Sequence, residues 1–253
     1  MELYKDPDEL SRAAAEKVIA INRKAASRGG RFSLVLSGGS TPRRLFQMLA
    51  AEPYCDQMDW THVEFFWGDE RTVPPDHQDS NFHMANEALL QKITLRPEQI
   101  HRMKAESEDP DASARDYQRE IAKVFEIPER GRPPSFDLVL LGLGPDAHTA
   151  SLFPHTSGIM ERESWVVKNH VPQLKTNRIT MTVPILNRAK MILFLVVGHD
   201  KAEALHSVIE GSRDPERFPA QLIQPDEGEL VWMVDREAAA RIDSKRLNLS
   251  QKN

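Results

Sequence analysis

Phe136-Asp-Leu-Val-Leu-Leu-Gly-Leu-Gly-Pro-Asp-Ala-His-Thr-Ala-Ser-Leu-Phe-Pro154 is the stretch whose reading decides the fold. The apolar run from Phe136 to Leu141, broken only by Asp137, has the continuity of a strand buried on both faces in a parallel sheet. A glycine-bearing turn, Gly142 to Gly144, ends it. His148 follows where the pattern predicts the start of a short helix. Open α/β sheets place chemistry at the C-terminal ends of their strands, and histidine exchanges protons near neutral pH. At a helix N-terminus the dipole disfavours the imidazolium, so His148 is expected to be neutral and ready to accept a proton. Two other readings stay open: a capping or packed histidine, and a dinucleotide fingerprint from the spacing Gly142-x-Gly144-x-x-Ala147. Against the fingerprint stand Pro145 and Asp146 inside the turn, because a carboxylate repels a pyrophosphate. Pro154 also cuts the following helix short.

Outward from this stretch the chain alternates. Asp8 to Ala26 has apolar residues at helical spacing (Leu10, Ala14, Val18, Ile21) and is closed by Gly29-Gly30. Strands are predicted at Phe32–Leu36, His62–Trp67, 136–141, Trp165–Lys168, Arg178–Val183, Met191–Val197 and Leu230–Val234. Helices are predicted from Pro42 through Ala51, at Asn81–Gln91, Ala112–Phe125 and Lys201–Ile209, and after Asp235. This alternation implies an α/β fold, a mostly parallel sheet flanked by helices in Rossmann-like fashion. The Pro- and Arg-rich segment 127–134 reads as a surface loop and Ser244 to Asn253 as a frayed end. No internal repeat or long linker is present, so residues 1–253 read as a single domain.

Composition narrows the function. A net charge of −5 gives no general attraction to nucleic acid or to an anionic membrane surface. Cys55 is the only cysteine, which excludes an intramolecular disulfide and fits a reducing, cytoplasmic setting. The first residues are polar, without the apolar region of a signal peptide. Met191–Val197, the longest apolar run, is too short to span a bilayer.

Two further segments carry candidate chemistry. Ser37-Gly38-Gly39-Ser40-Thr41-Pro42 joins a strand to a helix, with glycines where the backbone must approach a ligand and a proline in the first helical turn. Backbone N–H groups, hydroxyls and a helix N-terminus together favour a phosphate, although an N-capped turn would look the same. Phe65-Phe66-Trp67-Gly68-Asp69-Glu70-Arg71 is again a buried strand followed by charges. Three charges in a row usually form a solvated loop, but these lie at the same strand edge as the other two motifs. His77, Asp79 and His83 have a loose metal-like spacing with no second ligand cluster to join them. Lys175, Arg178, Lys190 and Lys201 supply cations to the second half.

Taken together, Ser37–Pro42, Gly68-Asp-Glu-Arg71 with Val73-Pro74 and Asp79-Ser80-Asn81, and Gly142 to Pro154 resemble the 6-phosphogluconolactonase family in order and in spacing. Arg178 to Asn187 and Pro219 to Pro225 extend the resemblance over nearly the whole chain. It implies hydrolysis of 6-phospho-D-glucono-1,5-lactone, a sugar-phosphate lactone substrate, and no metal or organic cofactor. It further implies His148, Arg71 and Asp69 as catalytic residues. Gly38, Gly39, Ser40, Thr41, Asp146, Arg178 and Lys201 are implied to bind the sugar and its phosphate. One departure is Ala147, where the family usually has glycine. Glucosamine-6-phosphate deaminases share the fold, but they resemble Asp-Glu-Tyr where this chain has Asp69-Glu70-Arg71, and the glutamate that assists their histidine is missing here. Sugar-phosphate sensors on this fold carry a DNA-binding module, and the single helix ahead of Phe32 is too little for one.

Overall fold

The apolar runs form one parallel sheet, because strands buried on both faces need helices above and below and crossover connections between them. A computed structural model describes residues 1–249 of the 253. In chain order the elements are β1 (Glu2–Tyr4), α1 (Pro7–Ala26), β2 (Phe32–Leu36), α2 (Ser40–Leu49), β3 (Val63–Trp67), β4 (Asp69–Arg71), α3 (Asn81–Ala88) and α4 (Pro110–Phe125). Then follow β5 (Leu138–Leu141), β6 (Val166–Val171), β7 (Thr176–Met181), α5 (Val183–Leu186), β8 (Met191–Val196), α6 (Ala202–Ile209), β9 (Glu229–Asp235) and β10 (Asn248–Leu249). The main sheet has seven strands in the order β10-β1-β9-β8-β5-β2-β3, and every pairing in it is parallel.

Local chemistry sets the helix starts. Asp6 caps α1 by accepting from the Glu9 N–H at 2.9 Å, and Pro7 opens the helix. The buried stripe of α1, Leu10, Ala14, Ala15, Val18 and Ile19, is small enough to bring the helix close to the sheet. Asp109 caps α4 in the same way, accepting from Ala112 N–H at 2.9 Å. On the opposite side, Phe66, Phe125 and Phe136 pack edge to face, with Phe66–Phe136 centroids 5.0 Å apart.

Asp137, the one charge in the decisive apolar run, has a structural use. Its carboxylate accepts from Ser33 N–H and from the Ser33 hydroxyl, both at 2.8 Å, and from Lys190 Nζ at 2.7 Å. Main-chain pairing of β2 with β5 begins one residue later, at Leu34 and Leu138. A side chain therefore continues the ladder where the backbone stops.

Several expected elements differ. The strands expected at 165–168 and 178–183 leave the parallel sheet and form, with β4, a separate three-stranded antiparallel sheet ordered β4-β7-β6. Asp69–Arg71 is a strand of that sheet, with Asp69 and Glu70 buried, rather than a solvated loop. No helix starts at His148. The segment after Asp235 is a series of turns, because the Asp235 carboxylate accepts from Ala238 N–H and also from Gly198 N–H across the sheet edge. Ser244–Arg246 makes a short 3-10 turn and β10 pairs with β1, so the expected fraying does not extend over 244–249. The remainder of that expected tail lies outside the described residues.

Asp137→Ala should destabilise the fold by about 1–3 kcal/mol, because it leaves the Ser33 N–H without its acceptor. Urea unfolding monitored by tryptophan fluorescence measures this, and Lys190→Ala should cost less because that lysine is mostly exposed.

Candidate functional site

Four loops meet at the C-terminal edge of the parallel sheet, those after β2, β3, β5 and β8. They enclose a cavity of about 220 Å³ and an adjoining one of about 130 Å³. Gly38, Gly39, Asp69, Arg71, His148, Arg178 and Lys201 line the larger cavity. Ser40 and Thr41 line the smaller, together with Gly38, Gly39 and Lys201. Asp146 stands behind His148 as its hydrogen-bond partner. The residues singled out from the sequence therefore converge, although they come from five separate segments.

The turn after β2 needs its glycines for two different reasons. Gly39 has φ +109°, a conformation few side chains adopt. Gly38 is closely approached: a Cβ there would lie 1.9 Å from Asn81 Oδ1. Because Gly39 stands at the N-cap of α2, no side chain caps that helix. Its first-turn residues Ser40 and Thr41 line the smaller cavity, and an uncapped helix start with two hydroxyl side chains is suited to an anion.

The turn after β5 departs from expectation in a way that matters for the chemistry. Ala147 and Ala150 take φ +63° and +47°, so the backbone cannot run on as a helix. Other elements take its polar groups. Ser151 N–H donates to Thr180 Oγ1 on β7 at 3.2 Å, and the Ser151 hydroxyl donates to Asp69 Oδ2 at 2.6 Å. Asn169 on β6, fully buried, donates to Ser151 O and Thr156 Oγ1 and accepts from Gly158 N–H. His148 is therefore not at a helix N-terminus, and the dipole argument for its neutral state does not hold. A carboxylate acts on it instead: Asp146 Oδ1 lies 2.5 Å from His148 Nδ1 and also accepts from the His148 N–H at 3.2 Å. Phe153 stacks on the imidazole at 4.0 Å, which fixes the ring plane. Burial alone would raise the Asp146 carboxyl, but the His148 hydrogen bond and charge outweigh it and hold it below the usual aspartate range. Ala147 keeps a methyl group in the left-handed region, and the loop still closes through Ala147 N–H to Gly144 O and Ala220 N–H to Ala147 O.

The antiparallel sheet brings in the cations. Arg71 on β4 lies directly opposite Arg178 on β7. Burial, and after it the charge of Arg71, lowers the Arg178 pKa. Two guanidiniums side by side in a partly buried site repel until an anion joins them. Arg71 is itself oriented by donating through Nη1 to the carbonyl of Asp79. Lys201 ends the 3-10 turn after Gly198 and pairs with Asp200 at 2.8 Å. Lys175 sits in the β6–β7 hairpin turn and Lys190 holds Asp137 at the far end of the sheet, so neither joins the site. His83 pairs with Glu87 along α3, and among the described residues no group of three His, Cys, Asp or Glu is placed to hold a metal ion.

Sequence reading missed Ser151 and Asn81 as cavity-lining residues. Their types are ordinary for turns and helix starts, and only the meeting of β4, α3 and the 142–154 loop places them beside Asp69.

Comparison with known proteins places the chain in a family. Residues 5–232 match the family described as glucosamine-6-phosphate isomerases/6-phosphogluconolactonase. A 6-phosphogluconolactonase of Synechocystis sp. is 40% identical over 222 residues, covering 87% of this chain and 88% of its own. One of Nostoc sp. is 37% identical over 242 residues, covering 96% and 98%. The solved structure of a Trypanosoma cruzi 6-phosphogluconolactonase superposes with a TM-score of 0.83 at 28% identity, covering 95% of this chain and 96% of that one.

Gly38→Ala should weaken inorganic phosphate binding at least about tenfold and lower stability by about 1–3 kcal/mol, since the added methyl must displace the Asn81 carboxamide. Calorimetric titration and urea unfolding read the two effects separately.

Proposed function

Because the chain belongs to the glucosamine-6-phosphate isomerase/6-phosphogluconolactonase family, we propose that it hydrolyses 6-phospho-D-glucono-1,5-lactone to 6-phospho-D-gluconate, a step of the oxidative pentose phosphate pathway. The observation that carries this reading is the convergence of an aspartate-held histidine and two facing arginines on one cavity. A lactone is an activated ester, so its opening requires a base, a group that stabilises an oxyanion, and a proton for the leaving oxygen. This chain has a residue for each task without a metal or organic cofactor in the scheme.

In the proposed reaction Asp146 holds Nδ1 of His148, which directs Nε2 towards a water molecule. His148 takes a proton from that water as the hydroxyl adds to C1. Negative charge grows on the carbonyl oxygen, and Arg71 stabilises it. Asp146 stabilises the imidazolium formed in the same step, as the orienting carboxylate does in a catalytic triad. When the tetrahedral intermediate collapses, the bond from C1 to the ring oxygen breaks and His148 returns its proton to that oxygen. Water has been added, and the histidine is neutral again. Asp69, held by Ser151 and Asn81, orients Arg71 or the sugar hydroxyls. The phosphate rests on the amides and hydroxyls of Gly38 to Thr41, with Arg178 and Lys201 as its cationic partners.

A cytoplasmic setting fits the single cysteine, and among the described residues no helix is long and apolar enough to cross a membrane. A negatively charged protein with Arg71, Arg178 and Lys201 together at one cleft suits a small anionic substrate rather than nucleic acid.

The test follows freshly generated 6-phosphogluconolactone against its uncatalysed loss. Acceleration by the unaltered protein is expected, with kcat at least about 10²-fold lower in His148→Ala. Ammonia release from glucosamine 6-phosphate without lactone hydrolysis would overturn the assignment. Lys201→Ala should chiefly raise KM, because a phosphate contact is made alike in ground state and transition state.

A further inference from the structure

Glu70 is the member of Asp69-Glu70-Arg71 that the proposed reaction does not use. Alternate side chains of a strand face opposite ways. On β4, Asp69 and Arg71 turn to the cavity, while Glu70 turns away beneath the first turn of α3 and is 3% exposed. Its Oε1 accepts from the N–H groups of Arg71 at 2.8 Å and Asn81 at 2.7 Å. Its Oε2 accepts from Phe82 N–H at 2.8 Å and from the Ser80 hydroxyl at 3.0 Å.

Two of these donors, Arg71 and Asn81, line the cavity. Arg71 carries the guanidinium of the cavity wall. Asn81 donates through Nδ2 to Asp69 O at 2.9 Å and to Asp69 Oδ1 at 3.4 Å, and its carboxamide packs on Gly38. Ser80 caps α3 by accepting from His83 N–H. The segment 72–79 between the two anchor points returns to Arg71 through the Asp79 carbonyl. One carboxylate therefore closes both ends of this segment and ties Arg71, Asp69 and the turn after β2 together.

Burial pushes the Glu70 carboxyl up, against the pull of the N–H groups of Asn81, Phe82 and Arg71. The charged and titratable groups around it are Asp69 and Arg71 on its own strand, Arg178 on β7 and Tyr117 on α4. An ionisable group buried at such cost is expected where function requires it.

We propose that Glu70 is a positioning residue of this site, setting the Arg71 guanidinium and the Asp69 carboxylate by clamping β4 to the N-terminus of α3. The proposal rests on the reaction above only for its kinetic readout.

Glu70→Gln keeps the shape and sets an amide NH₂ against groups that already donate. In the full-length protein, kcat for the lactone should fall about 10–100-fold with KM moving less than about threefold, the pattern of a misplaced transition-state contact. Amide hydrogen exchange followed by mass spectrometry should accelerate at least about tenfold across 69–82 and stay unchanged elsewhere. Ser80→Ala, which removes one donor to Glu70 together with the cap of α3 and keeps the charge, should lower kcat in the same direction by less. It should speed exchange at 69–71 as well as at 80–82, whereas loss of the cap alone would speed only the α3 side. This variant carries the test should Glu70→Gln fail to fold. Unchanged exchange over 69–82 would overturn the clamp. So would faster exchange over the whole chain with normal kcat per folded molecule. If the unaltered protein does not hydrolyse the lactone, the assigned reaction fails by itself and the exchange comparison still decides the role of Glu70.

Discussion

The structure depends on one topological constraint, the switch point between β2 and β5. After β2 the chain moves outward to β3, and from β5 it moves the other way through β8 to β9. Loops leaving neighbouring parallel strands in opposite directions open a crevice at their C-terminal ends. The two loops that do so here are Ser37–Pro42 and Gly142–Pro154, which carry the anion-binding turn and the histidine. Every residue of β2 and β5 is buried, so hydrophobic burial on both faces holds the crevice rigid. Asp137 and Ser33 fix the β2–β5 register from the opposite end.

On this frame the small antiparallel sheet adds what a parallel sheet alone would not supply. It carries Arg71 and Arg178 over the crevice and sets them opposite each other. Like charges so close are unfavourable without an anion. The neighbourhood offsets the repulsion with Asp69, with Glu70 and with the Asp79 carbonyl. The two carboxylates beside these arginines, Asp69 and Glu70, are held by hydrogen bonds from Ser151 and from the start of α3. Such holding is the physical meaning of preorganisation: the reorganisation cost is met during folding rather than at the moment of reaction.

The expectations that differed from the structure share a cause. Three consecutive charges ordinarily seek water, so local pattern leaves a solvated loop open for Asp69–Arg71 beside the functional reading. The segment is a buried strand because β7 supplies its main-chain partners and α3 supplies donors to Glu70. Local pattern predicts a helix at His148, yet Ala147 and Ala150 adopt left-handed conformations in a loop that contacts with Asp69, Thr180, Asn169 and Ala220 hold in place. The turns after Asp235 follow from a carboxylate shared with Gly198 on the neighbouring loop. In each case a long-range hydrogen bond overrode a local propensity worth less than about 1 kcal/mol per residue.

By itself the sequence determined the α/β class, the strands β2, β3, β5, β8 and β9, the glycine turns and His148 as a candidate. These follow from apolar periodicity, from backbone freedom at glycine and from side-chain chemistry, all of which act over a few residues. Arg71, Arg178 and Lys201 became candidates through the resemblance of their motifs to a known family, since each alone reads as a surface charge. Only the tertiary structure decided that β4, β6 and β7 form a second sheet, that Asp146 rather than a helix dipole governs His148, and that Glu70 faces away from the cavity. Those outcomes depend on pairings between residues far apart in the chain, such as Asp69 with Ser151 and Arg71 with Arg178, whose partners no local pattern specifies.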